Sequence, residues 1–533
     1  MVAPAANTTD IEGLRQFLEN MLREGRTSDL VEMVVSVLQR LKSDNDHLQH
    51  RLASLLRHRF GRSSEKLSTE QLHLFLQELS DAQAPPAAPE LSAPAPRPKR
   101  PPLAPAKRGR KSLPDNLPRE RVVLEPAEAE RRCSACGTDK HSIGEETSEV
   151  LEWVPGHFKV IEYARMKYAC RGCEAQVSIA PAVIKPIEAG MAGFSVVADV
   201  AVRKYAEHAP LHRIRTIYRR HGVELPVSSL SNWVRSVTGA LSPIATAVER
   251  EVLRSHLLQA DDTGLRVLDA DAPNGAKRGH LWAYVGDGRW VAFRYTPDWT
   301  GKGPWGFLSS RRGWVQADAY KGYDRLFDVP GATAVEVGCW AHARRYYFDA
   351  LESDRRSAVA LHYIAQLYAV EHDATARELD AAGRLALRHE RSAEILQALD
   401  KWVAATIPAA TPKSPLGQAL TYTVNQRRAL GRFLEDGRLL LDNNGCERAL
   451  RQVAVGRKNW LFAGSDAGAE RAAVMYTIIG TCRLNGVEPW GYVRDVLEKL
   501  AGGWLQSRIE ELLPPRWTPS TSIEVTPDAP AIN

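Results

Sequence analysis

"HLLQADDTGLRVL", residues 256–268, sets an apolar run directly against two acids. His256–Ala260 has the pattern of a buried strand, yet Asp261 and Asp262 follow at once. Gly313–Ala317 does the same, running into Asp318-Ala319-Tyr320. An acid at the end of a buried strand is costly unless it is paired or bound to a cation. Further short apolar or β-branched runs follow at His280–Val285, Trp290–Tyr295 and Ala334–Cys339, several of them divided by Gly or Asp. Such punctuation predicts strands, so 250–345 reads as the strand-bearing part of an α/β layer.

After this region, residues 350–440 are rich in Ala, Leu, Arg and Glu with little β-branching, which predicts a helical insertion. It ends at "LLLDNNGCERALRQVAVGRKNWLF", 439–462. Asp442, Asn443 and Asn444 read as the turn and cap of a new helix. On that helix Glu447 sits among Arg448, Arg451, Arg457 and Lys458. Two strand-end acids and Glu447 would suit one or two hard cations such as Mg²⁺, as two-metal phosphoryl transfer requires. Spacing alone leaves the plainer alternative open, because the chain has 64 acidic residues and surface acids at strand ends are common.

The remaining chain is modular. Its 533 residues exceed one ordinary core, so several domains are expected in a multidomain α+β chain. A net charge of +6 permits a nucleic-acid partner without requiring one. No signal pattern and no apolar run of about 18 residues is present, so a cytoplasmic, non-membrane protein is expected. Residues 10–80 read as helical. Val31, Leu38, Asn45 and Leu52, with Val34, Leu41, Leu48 and Leu55, repeat every seven positions, as in an oligomerising coiled coil or an amphipathic helix packed on its own domain. Residues 81–119 form a Pro/Ala-rich linker ending in a basic run, Lys107–Lys111. Within 120–180, Cys133-x-x-Cys136 and Cys170-x-x-Cys173 suit a structural four-thiolate zinc site, with strands expected at Val150–Val154 and Phe158–Tyr163. Redox-active thiols are the alternative. Residues 185–245 are helical and basic, and the turn His221–Pro226 followed by Ser228 and Ser229 has helix-turn-helix grammar, or that of a plain helical hairpin. Residues 476–513 read as helical, and 514–533 as a disordered tail.

Several long stretches resemble the transposases of the insertion sequence 66 family: "LQADDTGLRVL", "GWVQADAYKGYDRL", "VGCWAHARRYYF", the segment from Asp442 through "GRKNWLFAGSDAGAERAAVMYTIIGTCRLNGVEPWGYV", and the upstream "FGRSSEKL". The resemblance covers nearly the whole chain. It implies an RNase H-like catalytic domain over 250–475 and an Asp-Asp-Glu set of Asp261, Asp318 and Glu447 holding two Mg²⁺ ions, with Mn²⁺ as an alternative occupant. The family carries Asp-Glu-Thr where this chain has Asp261-Asp262-Thr263, so Asp262 competes with Asp261 for the first position. The implied activity is DNA transposition: cleavage at the element's ends and strand transfer into target DNA. The implied partners are the terminal inverted repeats, target DNA, a second subunit or a higher oligomer, and accessory proteins of the same element.

Around these acids, His342, Arg344 and Arg345 in "CWAHARR" are candidates for holding DNA phosphates or for completing a helix terminus. Arg448 and Arg451 follow Glu447 at i+1 and i+4, suited to a salt bridge or to phosphate positioning. Arg457 and Lys458 extend the basic cluster beside Trp460 as DNA contacts. Tyr320 and Tyr323 are expected to pack or stack beside Asp318, and Cys446 to be a small buried thiol.

Overall fold

The computed structural model describes residues 190–520 throughout, with 182–188, 177–179, 167–169, 156–163 and parts of 19–37. The coil seam from Leu38 onward, the linker, Cys133, Cys136, Cys170, Cys173 and residues 521–533 lie outside the described residues. Val31 and Val34, at the start of the seam, are helical and exposed. The chain divides into two compact units, Pro85–Glu162 and the remainder. Of the first, 156–162 is described. The segment Phe158–Tyr163, expected as a strand, carries none, and Val160 is 97% exposed.

In the second unit, β1 (Lys167–Ala169) and β2 (Val177–Ile179) pair antiparallel on either side of the second cysteine pair. Three helices follow: α1 (Phe194–Tyr205), α2 (Leu211–Arg220) and α3 (Val227–Arg254). The expected turn lies between α2 and α3, where Gly222 takes φ +79°. Pro226, not serine, occupies the cap of α3, which places Ser228 and Ser229 within its first turn. α3 continues without a break through 245–250. Its later part buries Val248 and Val252 and pairs Glu249 with Arg294 of the sheet.

The sheet has five strands in the order β5-β4-β3-β6-β7. β3 (Leu257–Leu268), β4 (Ala276–Gly286) and β5 (Trp290–Thr296) form an antiparallel meander, and β6 (Gly313–Gln316) and β7 (Ala334–Val337) run parallel to β3. Short helices α4 (Lys302–Leu308) and α5 (Asp324–Asp328) connect them. An edge strand leaves N–H groups without partners. Here the side chains of α13 (Asp466–Leu484) take them: Thr477 Oγ1 accepts from Phe293 N at 2.8 Å, and Thr481 Oγ1 from Val291 N at 3.3 Å. Helical spacing puts Thr477 and Thr481 on one face, and Gly480 gives that face the close approach it needs: a Cβ there would lie 2.6 Å from Val291 Cγ1.

The insertion comprises α6 (Trp340–Ala350), α7 (Ser357–Ala376), α8 (Ala381–Leu387), α9 (Ala393–Thr406), α10 (Pro415–Asn425) and α11 (Arg427–Gly431). Trp340, Tyr347, Leu361, Ile364, Leu396 and Phe433 form its core, continuous with Leu257 and Val337 of the sheet. Arg388, with no exposed surface, pairs with Glu371 at 2.7 and 2.9 Å and donates to the carbonyls of Phe433, Asp436 and Leu439. It thereby ties the insertion to the segment that returns to the sheet. α12 (Asn444–Trp460) then crosses β3, and α14 (Pro489–Ala501) completes the helices. The tail expected from Pro514 is not free at its start: Trp517 Nε1 and Ser520 N donate to Asp495 of α14. Among the described residues, no helix is long and apolar enough to cross a membrane.

Candidate active site

β3 and β6 pair in parallel with Gln259 opposite Gln316. Two residues after each Gln comes an acid, Asp261 within β3 and Asp318 just past the end of β6. Side chains alternate along a strand, so Gln259 shares a face with Asp261. Neighbouring strands lie about 4.8 Å apart, so the pairing starts the two acids near each other, and Asp261 feels the charge of Asp318. The β6 ladder ends at Gln316, and Asp318 lies in a sharp turn. Its Oδ1 accepts the Tyr320 N–H at 3.1 Å, and Ala319 adopts φ +64°, a costly conformation for a residue with a Cβ.

Glu447 occupies the first turn of α12. The three residues before the helix divide the work expected of them jointly. Asp442 makes the turn: its Oδ1 accepts the Asn444 N–H at 3.1 Å, and its Oδ2 accepts the Tyr368 hydroxyl at 3.0 Å. Asn443 does not cap the helix with its side chain. It is fully buried and its Nδ2 donates to Ala260 O at 2.8 Å, next to Asp261. Gly445 meets β3 so closely that a Cβ would collide with Gln259 Oε1. Cys446 is a buried thiol, as expected, and donates to Ala283 O at 3.0 Å.

Two buried glutamines hold these parts together. Gln259 Nε2 donates to Gln316 Oε1 at 2.9 Å and to Asp442 O at 2.8 Å. Gln316 Nε2 donates to Gly338 O at 3.1 Å and to Leu440 O at 2.8 Å. The network joins both acid-bearing strands to the entry of the Glu447 helix. Reading the sequence for acids missed it, although the signal was there: Gln-Ala-Asp occurs in both strands, at 259–261 and 316–318.

Asp262 points to the other face of β3. Its Oδ2 lies 2.5 Å from His280 Nδ1, and its Oδ1 accepts Trp299 Nε1–H at 3.0 Å. Trp299 stacks on His280 and on Tyr320, with ring centroids 5.6 and 4.6 Å away. Tyr323 is buried edge-on to Trp282, so both tyrosines pack as expected.

Asp261 is the most perturbed of the acids. Burial, more than anything else, pushes its pKa up to about 7. The carboxylates of Asp318, Asp262 and Glu447 push the same way, while the Asp262 N–H on its Oδ1 opposes them. Asp318 and Glu447 therefore both sit within electrostatic reach of Asp261. Among the described residues, no three Asp, Glu, His or Cys side chains are gathered tightly enough to ligate one ion as they stand. Asp261 Oδ1 and Asp318 Oδ1 are turned to backbone N–H groups, and Glu447 Oε1 lies 3.8 Å from Arg345. The donor set nonetheless fits a hard divalent cation: it is all oxygen, converges from two strands and a helix, and carries charge that the nearby cations leave uncompensated at Asp261.

The basic candidates separate by position. Arg345 faces Glu447, and Arg344 lies 5.7 Å from the Phe348 ring centroid. Arg448, Arg451 and Lys458 are exposed along α12. Arg457 Nη1 donates to Gly264 O, so it braces β3 from the far end of the helix.

Comparison with known proteins agrees with this layout. The profile of the family described as "Transposase IS66 family" matches residues 189–471, and that of its C-terminal element 477–514. The "zinc-finger binding domain of transposase IS66" matches 130–174, a span holding all four paired cysteines, and "Transposase C of IS166 homeodomain" matches 47–122. Two similar proteins of Sinorhizobium fredii are the uncharacterized protein y4hP, 35% identical over 78% of both chains, and the uncharacterized protein y4qI, 33% identical over 97% of this chain and 99% of its own.

Proposed function

The chain belongs to the transposase IS66 family, and on that premise we propose that it is a DNA transposase whose carboxylates Asp261, Asp318 and Glu447 catalyse metal-dependent cleavage at the ends of an insertion sequence and strand transfer into target DNA. The observation that supports this reading is that Asp261, two residues past the Gln259–Gln316 pairing of β3 and β6, feels the charges of both Asp318 and Glu447. The meander β3–β4–β5 continued by parallel β6 and β7 supports an RNase H-like core.

Asp261, Asp318 and Glu447 would hold two Mg²⁺ ions, or Mn²⁺ in their place. Such ions supply an activated water and stabilise the leaving oxygen. The chain's own side chains prepare the site. Asp261, raised to about 7, carries its charge only part of the time near neutral pH, and added positive charge would favour its ionised form. Gln259, Gln316 and Asn443 fix the separation of the carboxylates. Arg344 and Arg345 flank the site, and Arg448, Arg451 and Lys458 offer cations to DNA phosphates along the outer side of α12. Arg457 contributes by bracing β3. Water then opens the phosphodiester and frees a 3′-hydroxyl, which attacks the target strand.

Cys133, Cys136, Cys170 and Cys173 would bind a structural Zn²⁺, and together with the α2–α3 helix-turn-helix would recognise the terminal inverted repeats. The N-terminal coil would pair subunits into a homodimer or larger assembly, with accessory proteins of the same element taking part. The test is Glu447→Gln. This chain should bind labelled element-end DNA like the parent yet fail to cut it with Mg²⁺ or to join its 3′-hydroxyl to a target plasmid. Wild-type cleavage by this variant would remove Glu447 from the mechanism.

A further inference from the structure

Some basic side chains on α1, on α2 and against the start of α13 are matched by acids. Arg203 pairs with Asp199 at 2.7 Å and Glu207 at 3.3 Å, Arg215 pairs with Glu224, and Lys277 takes Asp466 at 2.8 Å. Lys204, in the last turn of α1, and Arg471, in the first half of α13, have no ion pair among the described residues. The two cations lie close enough to repel. The Lys204 side chain is half-buried, its ammonium 5.2 Å from the Tyr205 centroid and 6.0 Å from that of Trp460, the last residue of α12. Burial, and then the charge of Arg471, lower its pKa to about 8. The same end of α12 carries exposed Lys458, and Arg213 of α2 reaches only the neutral Asn459, at 3.3 Å. Two like charges held near each other, one of them partly desolvated, weaken a fold that lacks a counter-ion for them. Retaining such a pair makes physical sense where an anion completes it.

We infer that Lys204 and Arg471 form a phosphate-binding site for the DNA backbone, at the opposite end of α12 from Glu447. The inference rests on the transposase reading for the identity of the anion. Thirteen helical residues separate Glu447 from Trp460, about 20 Å at 1.5 Å per residue, or about six base pairs of duplex axis. The site would therefore grip DNA about half a helical turn from the cut. The aromatic faces of Tyr205 and Trp460 hold the ammonium in place by cation–π attraction, which keeps it oriented before DNA arrives.

Backbone contacts are independent of sequence, so a fluorescent duplex of mixed sequence serves as probe with the full-length protein. Each neutralised phosphate contact contributes about 0.9 to the slope of log K against log salt. Lys204→Gln and Arg471→Gln should each lose that amount, so that the drop in affinity between about 50 and 200 mM salt becomes about 3.5-fold smaller than in the parent. The melting temperature of Lys204→Gln without DNA should equal or exceed the parent's, and Lys204→Arg should retain the parental slope. A parental slope in Lys204→Gln, the same loss in Lys204→Arg, or a lower melting temperature that marks the cation as structural would each overturn the site. A Glu447→Gln chain that still cleaves sinks the proposed chemistry instead, and leaves the salt slopes to decide this site.

Discussion

Replacing Asp261 by Asn removes a charge the fold holds at a cost. The carboxyl rises from its ordinary 3.8 to about 7. At about 1.4 kcal/mol per pH unit, this corresponds to about 4 kcal/mol of preference for the neutral form. A folded-state pKa above the unfolded one stabilises the protein at low pH, and that stability is lost as pH rises from about 4 through 7. Asn is isosteric and always neutral, so Asp261→Asn should match the parent near pH 4 and exceed it by about 4 kcal/mol at pH 8. For domains of 150–250 residues each kcal/mol moves the melting temperature by about 2–4 °C, so a gain on the order of 10 °C is expected. The assay is thermal unfolding of both full-length chains across this pH range without divalent ions. Taking the difference between the chains cancels every other titrating group. Adding Mn²⁺ at pH 8 should then raise the parent's midpoint more than the variant's, because binding to the folded state stabilises it. A difference that stays flat between pH 5 and 8, or a variant less stable than the parent at pH 8, would refute the reasoning.

Other consequences follow from the same geometry. Gln316→Leu strips the buried carbonyls of Leu440 and Gly338 of their donor and should cost about 2–4 kcal/mol by urea titration, with cleavage falling while DNA affinity holds. Gly445→Ala drives a methyl into Gln259, so overpacking of about 1–3 kcal/mol is expected together with lost cleavage; a fully active variant would show that α12 can shift freely. Arg388→Met leaves Glu371 with Arg384 alone and strips the carbonyls of Phe433, Asp436 and Leu439 of their buried donor, and should cost about 3–5 kcal/mol in chemical denaturation. Cys133→Ser with Cys136→Ser should abolish bound zinc in metal analysis of the purified protein, and unchanged zinc content would exclude the proposed thiolate site.

Much of the layout was legible because strands announce themselves through short apolar runs between breakers. The runs at 256–268, 290–295 and 313–318 correspond to β3, β5 and β6 within a residue or two. Where the reading failed, composition or polar pattern misled. Phe158–Tyr163 has strand composition but carries no strand, since composition alone does not make one. The polar, Pro-containing stretch after Pro514 resembled a tail because its anchor, Asp495 on α14, is distant in sequence.

The sequence by itself determined the family and the order of the elements, since these depend on local pattern and on long specific segments. It could not choose between Asp261 and Asp262, whose chemistry is the same one residue apart. The tertiary structure separated them by face: Asp261 looks toward Asp318 and Glu447, and Asp262 is held by His280 and Trp299. It also supplied the glutamine network, whose members lie more than 50 residues apart in the chain. Period-two alternation turns a single step along a strand into opposite sides of a sheet, and only the packed sheet says which side faces the third acid.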